Sequence, residues 1–401
     1  MYVRDTMYIS KRLQSIKPSP TLAIDAKAKA LKAKGVDIIS FGTGEPDFDT
    51  PQNIKDAAID AINKGFTKYC PVPGTPDLKD AIIKKFKEDN NLDYTREQVM
   101  ASCGGKHSLF NLFQTIFDEG DEVIIPAPYW VSYPDMAVLA GAVPVFITTS
   151  DKNHFKVKPT EIEKVITKKT KAFILNSPSN PTGNTYTKEE LEEIADICIK
   201  NNLLIISDEI YEKLTYDNFK FFSIAQVSQE VKEHTIVVNG VSKAFAMTGW
   251  RIGYAAGPKE IIAAMTKMQS QSTSCPTSIS LKAATEALNG DKACLETMRV
   301  EFEKRRNYIV DRLNKINGIT CLKPEGAFYV FPNISSLLEK TYNGKLINTD
   351  IELADYLLDE AKIAVVPGSA FGAKGFIRFS YATSMEKIVE GLNRLEAALK
   401  K

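Results

Sequence analysis

Apolar residues fall along this chain in two rhythms. Between residues 98 and 256 short, almost unbroken apolar runs recur: Gln98–Cys103, Glu122–Ile125, Val143–Ile147, Lys171–Leu175, Leu203–Ser207, Thr235–Val238 and Arg251–Ala255. Runs of that length, rich in Ile and Val, predict strands of a parallel sheet covered on both faces. Amphipathic stretches separate them. In Lys106–Phe117 the apolar positions are Leu109, Phe110, Leu112, Phe113 and Ile116, one face of a helix. Lys188–Asn201 is preceded by Thr187 with Glu190 three positions on, a capping box. Strand alternating with helix predicts an α/β, doubly wound large domain.

The flanks read differently. Pro18 and Pro20 favour an extended N-terminal arm. A helix is predicted over Leu22–Lys34, closed by Gly35, then a strand over Val36–Phe41. Further helices are expected over Pro51–Gly65, with Thr50 as cap and Pro51 at its first position, and over Pro76–Asn90. Past Gly257 a helical region spans Ile279–Ile316, interrupted near Gly290. Gly326–Pro332, Ile363–Pro367, Phe376–Ala382 and a closing helix to Leu399 suggest a smaller α+β domain. The expected division is an arm and part of the small domain over 1–44, a large domain over 45–290 and a C-terminal small domain over 291–401.

Composition narrows the function. The net charge of +1 gives no field favouring nucleic acid or an acidic membrane. No run approaches ~18 apolar residues, so no membrane span is expected. Residues 1–12 lack the apolar core of a secretory signal. Six cysteines and three histidines are scattered without a C-x-x-C pair, which argues against zinc or a disulfide framework and fits a reducing cytoplasm.

In a doubly wound sheet, ligands gather at the carboxyl ends of the strands. Trp130, Asn180, Asp208, Tyr211 and Lys243 all follow predicted strand ends. Lys243 lies among small and apolar residues, where lost solvation lowers an amine's pKa and lets it attack a carbonyl carbon. Gly104 and Gly105 separate a strand from a helix, the arrangement that presents free N–H groups to an anion. Asp208 and Glu209 are adjacent carboxylates that a strand would point to opposite faces. Arg378 stands on an otherwise apolar run, where burial without a partner is costly.

Five dispersed stretches together resemble the class I, aspartate-aminotransferase-like family of pyridoxal-phosphate enzymes, fold type I. They are Pro128–Trp130, Asn176–Gly183, Ser207–Tyr211, Val238–Gly253 and Gly375–Tyr381. The resemblance runs from about Lys11 to the C-terminus and implies roles residue by residue. Lys243, beside Ser242, would hold pyridoxal 5'-phosphate as a Schiff base and act as general base and acid. Asp208 would pair with the ring nitrogen, Asn180 and Tyr211 would meet the phenolic oxygen, and Trp130 would lie on the ring. Gly104, Gly105, Lys106 and Arg251 would cup the phosphate. Tyr69 would reach the phosphate of a neighbouring subunit, implying a homodimer. Arg378 and Gly44 would take a substrate α-carboxylate.

The stretch Gln269–Cys275 lacks the arginine with which some relatives bind a distal carboxylate. In that respect the chain resembles a bacterial subgroup in which Lys17 of the arm can meet the distal acid, and which includes enzymes acting on prephenate. The implied function is transfer of the amino group of aspartate or glutamate to a 2-oxo acid, with no nucleic-acid or membrane partner and no metal. Alternatives on the same fold are a β-lyase, an aromatic aminotransferase and, outside enzymes, a transcription regulator, whose extra DNA-binding domain has no counterpart here.

Overall fold

A computed structural model of the protein describes residues 9–16, 18 and 20–400. Its centre is a seven-stranded sheet. In chain order the strands are β1 (Val99–Ser102), β2 (Glu122–Ala127), β3 (Val143–Thr148), β4 (Thr170–Asn176), β5 (Leu204–Asp208), β6 (Thr235–Gly240) and β7 (Gly253–Ala256). Their spatial order is β1-β7-β6-β5-β4-β2-β3. All pairings among β2 to β6 are parallel, and β7 runs against both β6 and β1. The sheet is therefore mixed, not wholly parallel. Its α/β, doubly wound character stands.

Both faces are covered, which is why the strands read as continuous apolar runs. Successive residues serve opposite layers: Val123 and Ile125 pack with Leu109, Leu112, Phe113, Ile262 and Met265, whereas Ile124 packs with Leu191, Ile194 and Cys198. Burying each such side chain is worth about 1.5–3 kcal/mol. The helix Lys188–Lys200 opens with the expected capping box, Thr187 accepting from the Glu190 N–H and Glu190 accepting from the Thr187 N–H.

The C-terminal part packs a second core. Helix Ala293–Asn314 and the closing helix Met385–Leu399 lie against a three-stranded antiparallel sheet of Tyr329–Val330, Ile377–Ser380 and Val366–Pro367. Ile39–Ser40 joins this part by pairing with Ile363–Ala364. Tyr211 and Leu214, just past β5, belong to the same core. The end of the large sheet and the C-terminal part thus meet over the carboxyl ends of β4, β5 and β6.

Two local expectations are corrected. Arg251 is not in a strand: it takes a left-handed conformation (φ 56°), and β7 starts at Gly253. Glycine is needed there because a Cβ on Gly253 would collide with the backbone of Gly104 and Gly105. Thr50 does not cap the helix Gln52–Asn63. Its hydroxyl donates to the Ala246 carbonyl (2.7 Å) and accepts from Trp250 Nε1 (2.9 Å), anchoring the loop that follows Lys243.

Candidate active site

The carboxyl ends of β2, β4, β5 and β6 open into a cavity of about 300 Å³. Most of the residues singled out from the sequence line it: Gly44, Gly105, Lys106, Trp130, Asn180, Asp208, Tyr211, Ser242, Lys243, Arg251 and Arg378. Gly104 stands directly behind, against Arg251.

One end is built for an anion. After β1 the chain turns at Gly104 (φ 93°) into helix Gly105–Ile116. The first N–H groups of a helix have no acceptor within it, and the dipole favours negative charge there. A Cβ on Gly104 would collide with the Arg251 guanidinium, so glycine lets the arginine lie across the helix start. Arg251 is held from behind by one bond, Nη1 donating to the Thr248 carbonyl (2.8 Å). Lys106 reaches back over the Trp130 ring, 4.9 Å from its centroid. Burial, and then the charge of Arg251, hold the Lys106 amine below its usual pKa.

In the middle stand a carboxylate and an amine. Asp208 accepts from the Tyr133 hydroxyl (2.7 Å) and from the Ile210 N–H (3.3 Å). No cation among the described residues pairs with it, and burial pushes its carboxyl up to about 6. Glu209 points to the other side of the strand, where Ser207 and Ser223 donate to it (2.8 and 2.6 Å). The pleat thus gives the cavity to Asp208 alone. Lys243 Nζ donates to the Gly44 carbonyl (2.5 Å). Burial first, then Arg251 and Arg378, bring its pKa down to about 8 against the opposing pull of Glu45 and Asp208.

The other end is a buried arginine. Arg378 is 3% exposed. Its Nη1 donates to Asn180 Oδ1 (2.9 Å) and its Nη2 to the Gly42 carbonyl (2.7 Å). The rings of Tyr329 and Phe371 flank it, with centroids 4.5 and 4.9 Å away. Its Nε has no partner, and no carboxylate among the described residues pairs with it, so the internal salt bridge that would make this arginine merely structural is absent. A buried guanidinium without an anion is costly, and an entering carboxylate relieves that cost.

Two tyrosines were not anticipated. Tyr133 follows Trp130 by three residues, one turn, which puts both on the same side of the chain; that spacing was the available signal. Tyr329 lies in the Gly326–Pro332 run but had no sequence signal linking it to the site. Its hydroxyl bonds to Tyr211 (2.8 Å) and lies 2.7 Å from where a Cβ on Gly44 would stand. Tyr69 is outside the cavity and 95% exposed. Lys17 lies outside the described residues.

Residues 36–395 match the family described as aminotransferase class I and II. The chain is 54% identical over 392 residues to an aspartate aminotransferase of Bacillus sp. strain YM-2, covering 98% of this chain and 99% of that protein. It is 53% identical to a probable aspartate/prephenate aminotransferase of Rickettsia felis, over 97% and 96% of the two chains. Among solved structures, the aspartate aminotransferase of Rhizobium meliloti superposes with a TM-score of 0.95 at 44% identity, covering 98% of this chain and 99% of that one. The Thermus thermophilus enzyme with maleate gives 0.92 at 44% identity, covering 98% and 100%. The protein belongs to the class I and II aminotransferase family and is an aminotransferase.

Proposed function

We propose that the protein moves the amino group of L-aspartate or L-glutamate to a 2-oxo acid such as 2-oxoglutarate or oxaloacetate, in ping-pong order, with pyridoxal phosphate bound to Lys243. The observation that carries this reading is Arg378, buried and hydrogen-bonded yet without an anion. Charge balance supports it. Four cationic side chains line the cavity, Lys106, Lys243, Arg251 and Arg378, against one carboxylate, Asp208, among the described residues. Such a surplus suits a phosphate at one end and a dicarboxylic acid at the other.

The residues fit pyridoxal phosphate. The side-chain-free cradle at Gly104 and the start of the helix suit a phosphate, with Gly105, Ser242 and Arg251 around it. Asp208, lacking a cation, suits a protonated ring nitrogen; a charge-assisted bond of that kind is worth about 1.5–3 kcal/mol. When bound, the cofactor supplies an electron sink for the carbanion formed at the substrate Cα. The chain's own residues do the rest. Lys243 Nζ, with its lowered pKa, holds the cofactor, yields to the incoming amine, then takes and returns the proton at Cα. Arg378 orients the substrate through its α-carboxylate, and Tyr211 and Asn180 donate toward the ring oxygen.

The resemblance and the full exposure of Tyr69 support a homodimer in which that tyrosine serves the neighbouring site. The pairing of Ile39–Ser40 with Ile363–Ala364 and the separate C-terminal core support a division into an arm with part of the small domain (1–44), a large domain (45–290) and a C-terminal domain (291–401). Six free cysteines support a reducing, cytoplasmic setting. Prephenate as a second acceptor is supported by the names of the Rickettsia relatives, with Lys17 the residue of interest.

The test pairs aspartate and glutamate with 2-oxoglutarate, oxaloacetate and prephenate in a two-substrate screen. Amino exchange dependent on the 2-oxo acid is expected. Release of pyruvate and ammonia from a sulfur amino acid, offered in a separate arm without an acceptor, would move the protein to the lyases. Lys243→Ala should keep the cofactor and lose turnover; full transamination by that variant refutes the assignment.

A further inference from the structure

The segment between Phe41 and Thr50 supplies two acceptors to the site and has little to hold itself. The Gly42 carbonyl accepts from Arg378 Nη2 (2.7 Å) and the Gly44 carbonyl from Lys243 Nζ (2.5 Å). Residues 42–49 make no backbone–backbone hydrogen bond among the described residues. A stretch without such bonds belongs to the least stable part of a fold, so side chains set its shape. Its ends are tied: the Phe41 carbonyl accepts from the Ser380 N–H (2.8 Å), and Thr50 is anchored to Ala246. Between them, Glu45 accepts from Thr248 Oγ1 (2.9 Å) and Asp47 accepts from Arg305 Nη1 (2.6 Å).

Arg305 comes from helix Ala293–Asn314, in the C-terminal part. Its side chain is buried, and it lies outside the cavity. Its Nε donates to Glu301 (2.9 Å), one turn back on the same helix, which already balances the buried charge. The bond to Asp47 is therefore not needed to neutralise the guanidinium; it reaches across to the segment. Phe48 adds to the grip. The guanidinium lies 5.2 Å from the Phe48 centroid and 5.5 Å from that of Phe302, and the two rings meet edge to face. The next residue gives the contrast. Arg306 is fully buried, pairs with Asp217 (2.8 Å) and donates to the Pro324 carbonyl (2.8 Å), and neither partner belongs to the segment.

We propose that Arg305 is a positioning residue for the reaction: through Asp47 and Phe48 it holds residues 42–48 so that the Gly42 carbonyl aims Arg378 at a substrate carboxylate. This rests on the function proposed above. Once Lys243 turns to the cofactor, its bond to Gly44 is given up. The side-chain bonds left to the middle of the segment are then Glu45 to Thr248 and Asp47 to Arg305. The first is exposed and has one charged partner. The second is largely buried and joins two full charges, so it is the stronger. The segment also has no slack at the site. A Cβ on Gly44 would stand 2.7 Å from the Tyr329 hydroxyl, and the ring of that tyrosine flanks Arg378. A shift of the segment therefore reaches the arginine from two sides.

The experiment supplies the purified protein with pyridoxal phosphate and measures KM and kcat for aspartate, with the dissociation constant of succinate read separately by calorimetry. In Asp47→Ala, KM and the succinate constant should rise together by roughly 5- to 50-fold, the scale of a misplaced positioning group, with kcat within about threefold. Asp47→Glu, which keeps the carboxylate, should recover most of the loss, and Arg305→Lys should fall between wild type and Asp47→Ala. Asp217→Asn, which weakens the pairing of Arg306 on the same helix, should lower the melting temperature and leave both constants near wild type. Unchanged constants in Asp47→Ala, or an equal rise in Asp217→Asn, overturn the proposal. Wild-type protein that binds succinate but does not transaminate defeats the function proposed above, and the succinate constants of the variants then decide this inference alone. Wild-type protein that binds no succinate defeats both.

Discussion

The two arginines at opposite ends of the cavity are built on opposite principles. Arg251 is exposed, steadied by one backbone carbonyl, and shares its task with the N–H groups of a helix start. Arg378 is buried, held by a side-chain amide and a carbonyl from two distant segments, and walled by two aromatic rings. The first end is a distributed, partly solvated anion site; the second concentrates its charge in one desolvated group. Distributed sites lose little when one donor is removed. A desolvated single group carries nearly all of its binding, and its removal strands its partners.

That contrast predicts the largest effect at Arg378. Arg378→Ala removes two charge-assisted bonds to a carboxylate, about 3–6 kcal/mol, or roughly 10²–10⁴-fold in kcat/KM for aspartate. The dissociation constant for pyridoxal phosphate should stay within about threefold. Arg251→Ala should show the reverse: cofactor affinity down by roughly 10–10²-fold from one such contact, with KM for aspartate little changed once cofactor is saturating. Steady-state kinetics beside cofactor titration reads both. If the two variants lose cofactor and substrate binding in equal proportion, the ends are not separate and the comparison breaks.

Tyr329 sharpens it. The ring supports Arg378 and the hydroxyl bonds to Tyr211, so one residue touches the groups assigned to substrate and to cofactor. Tyr329→Phe keeps the ring and removes one buried hydroxyl pair, worth about 0.5–1.5 kcal/mol. A 2- to 10-fold fall in kcat/KM is expected, with Arg378 function retained; Tyr329→Ala should approach the Arg378→Ala loss. Equal behaviour of the two Tyr329 variants would place the effect in the hydroxyl and remove the ring from the account.

The same contrast decided what the sequence revealed. The Arg251 end is local in the chain: strand, glycine pair and helix are contiguous, and a physical rule links them. Lys243 and the capping box at Thr187 are legible for that reason: their surroundings set a solvation state or a periodicity that can be read off neighbours. The choice of Asp208 over Glu209, by contrast, rests on the resemblance. The Arg378 end is assembled from Gly42, Asn180, Tyr329 and Phe371, which no spacing connects. An arginine on an apolar strand announces a buried charge, but not that Tyr329, far earlier in the chain, lies beneath it. Thr50 reads as a cap because that is the common local use of a threonine before a helix, but a tertiary bond to the Ala246 carbonyl engages its hydroxyl instead. Gly253 reads as strand interior in sequence, whereas backbone contact with Gly104 and Gly105 sets where that strand can begin.

The smallest predicted effect tests whether both ends act on the amine between them. In the protein without cofactor, the Lys243 pKa of about 8 follows from burial, then from Arg251 and Arg378. The unfolded chain keeps the usual lysine value near 10.5. Between those values the unfolded state holds more protons, so this group's destabilisation is full below pH 8 and fades as pH rises toward 10.5. Reactivity of the amine toward an aldehyde trapped by borohydride should therefore rise with a midpoint near pH 8. Removing either arginine should move that midpoint up, by less than about one unit at these partly screened distances. Arg251→Ala should move it further than Arg378→Ala, since Arg251 is the stronger of the two influences. A midpoint indifferent to both would mean that burial alone tunes Lys243, and that the two ends bind their anions without sharing control of the base.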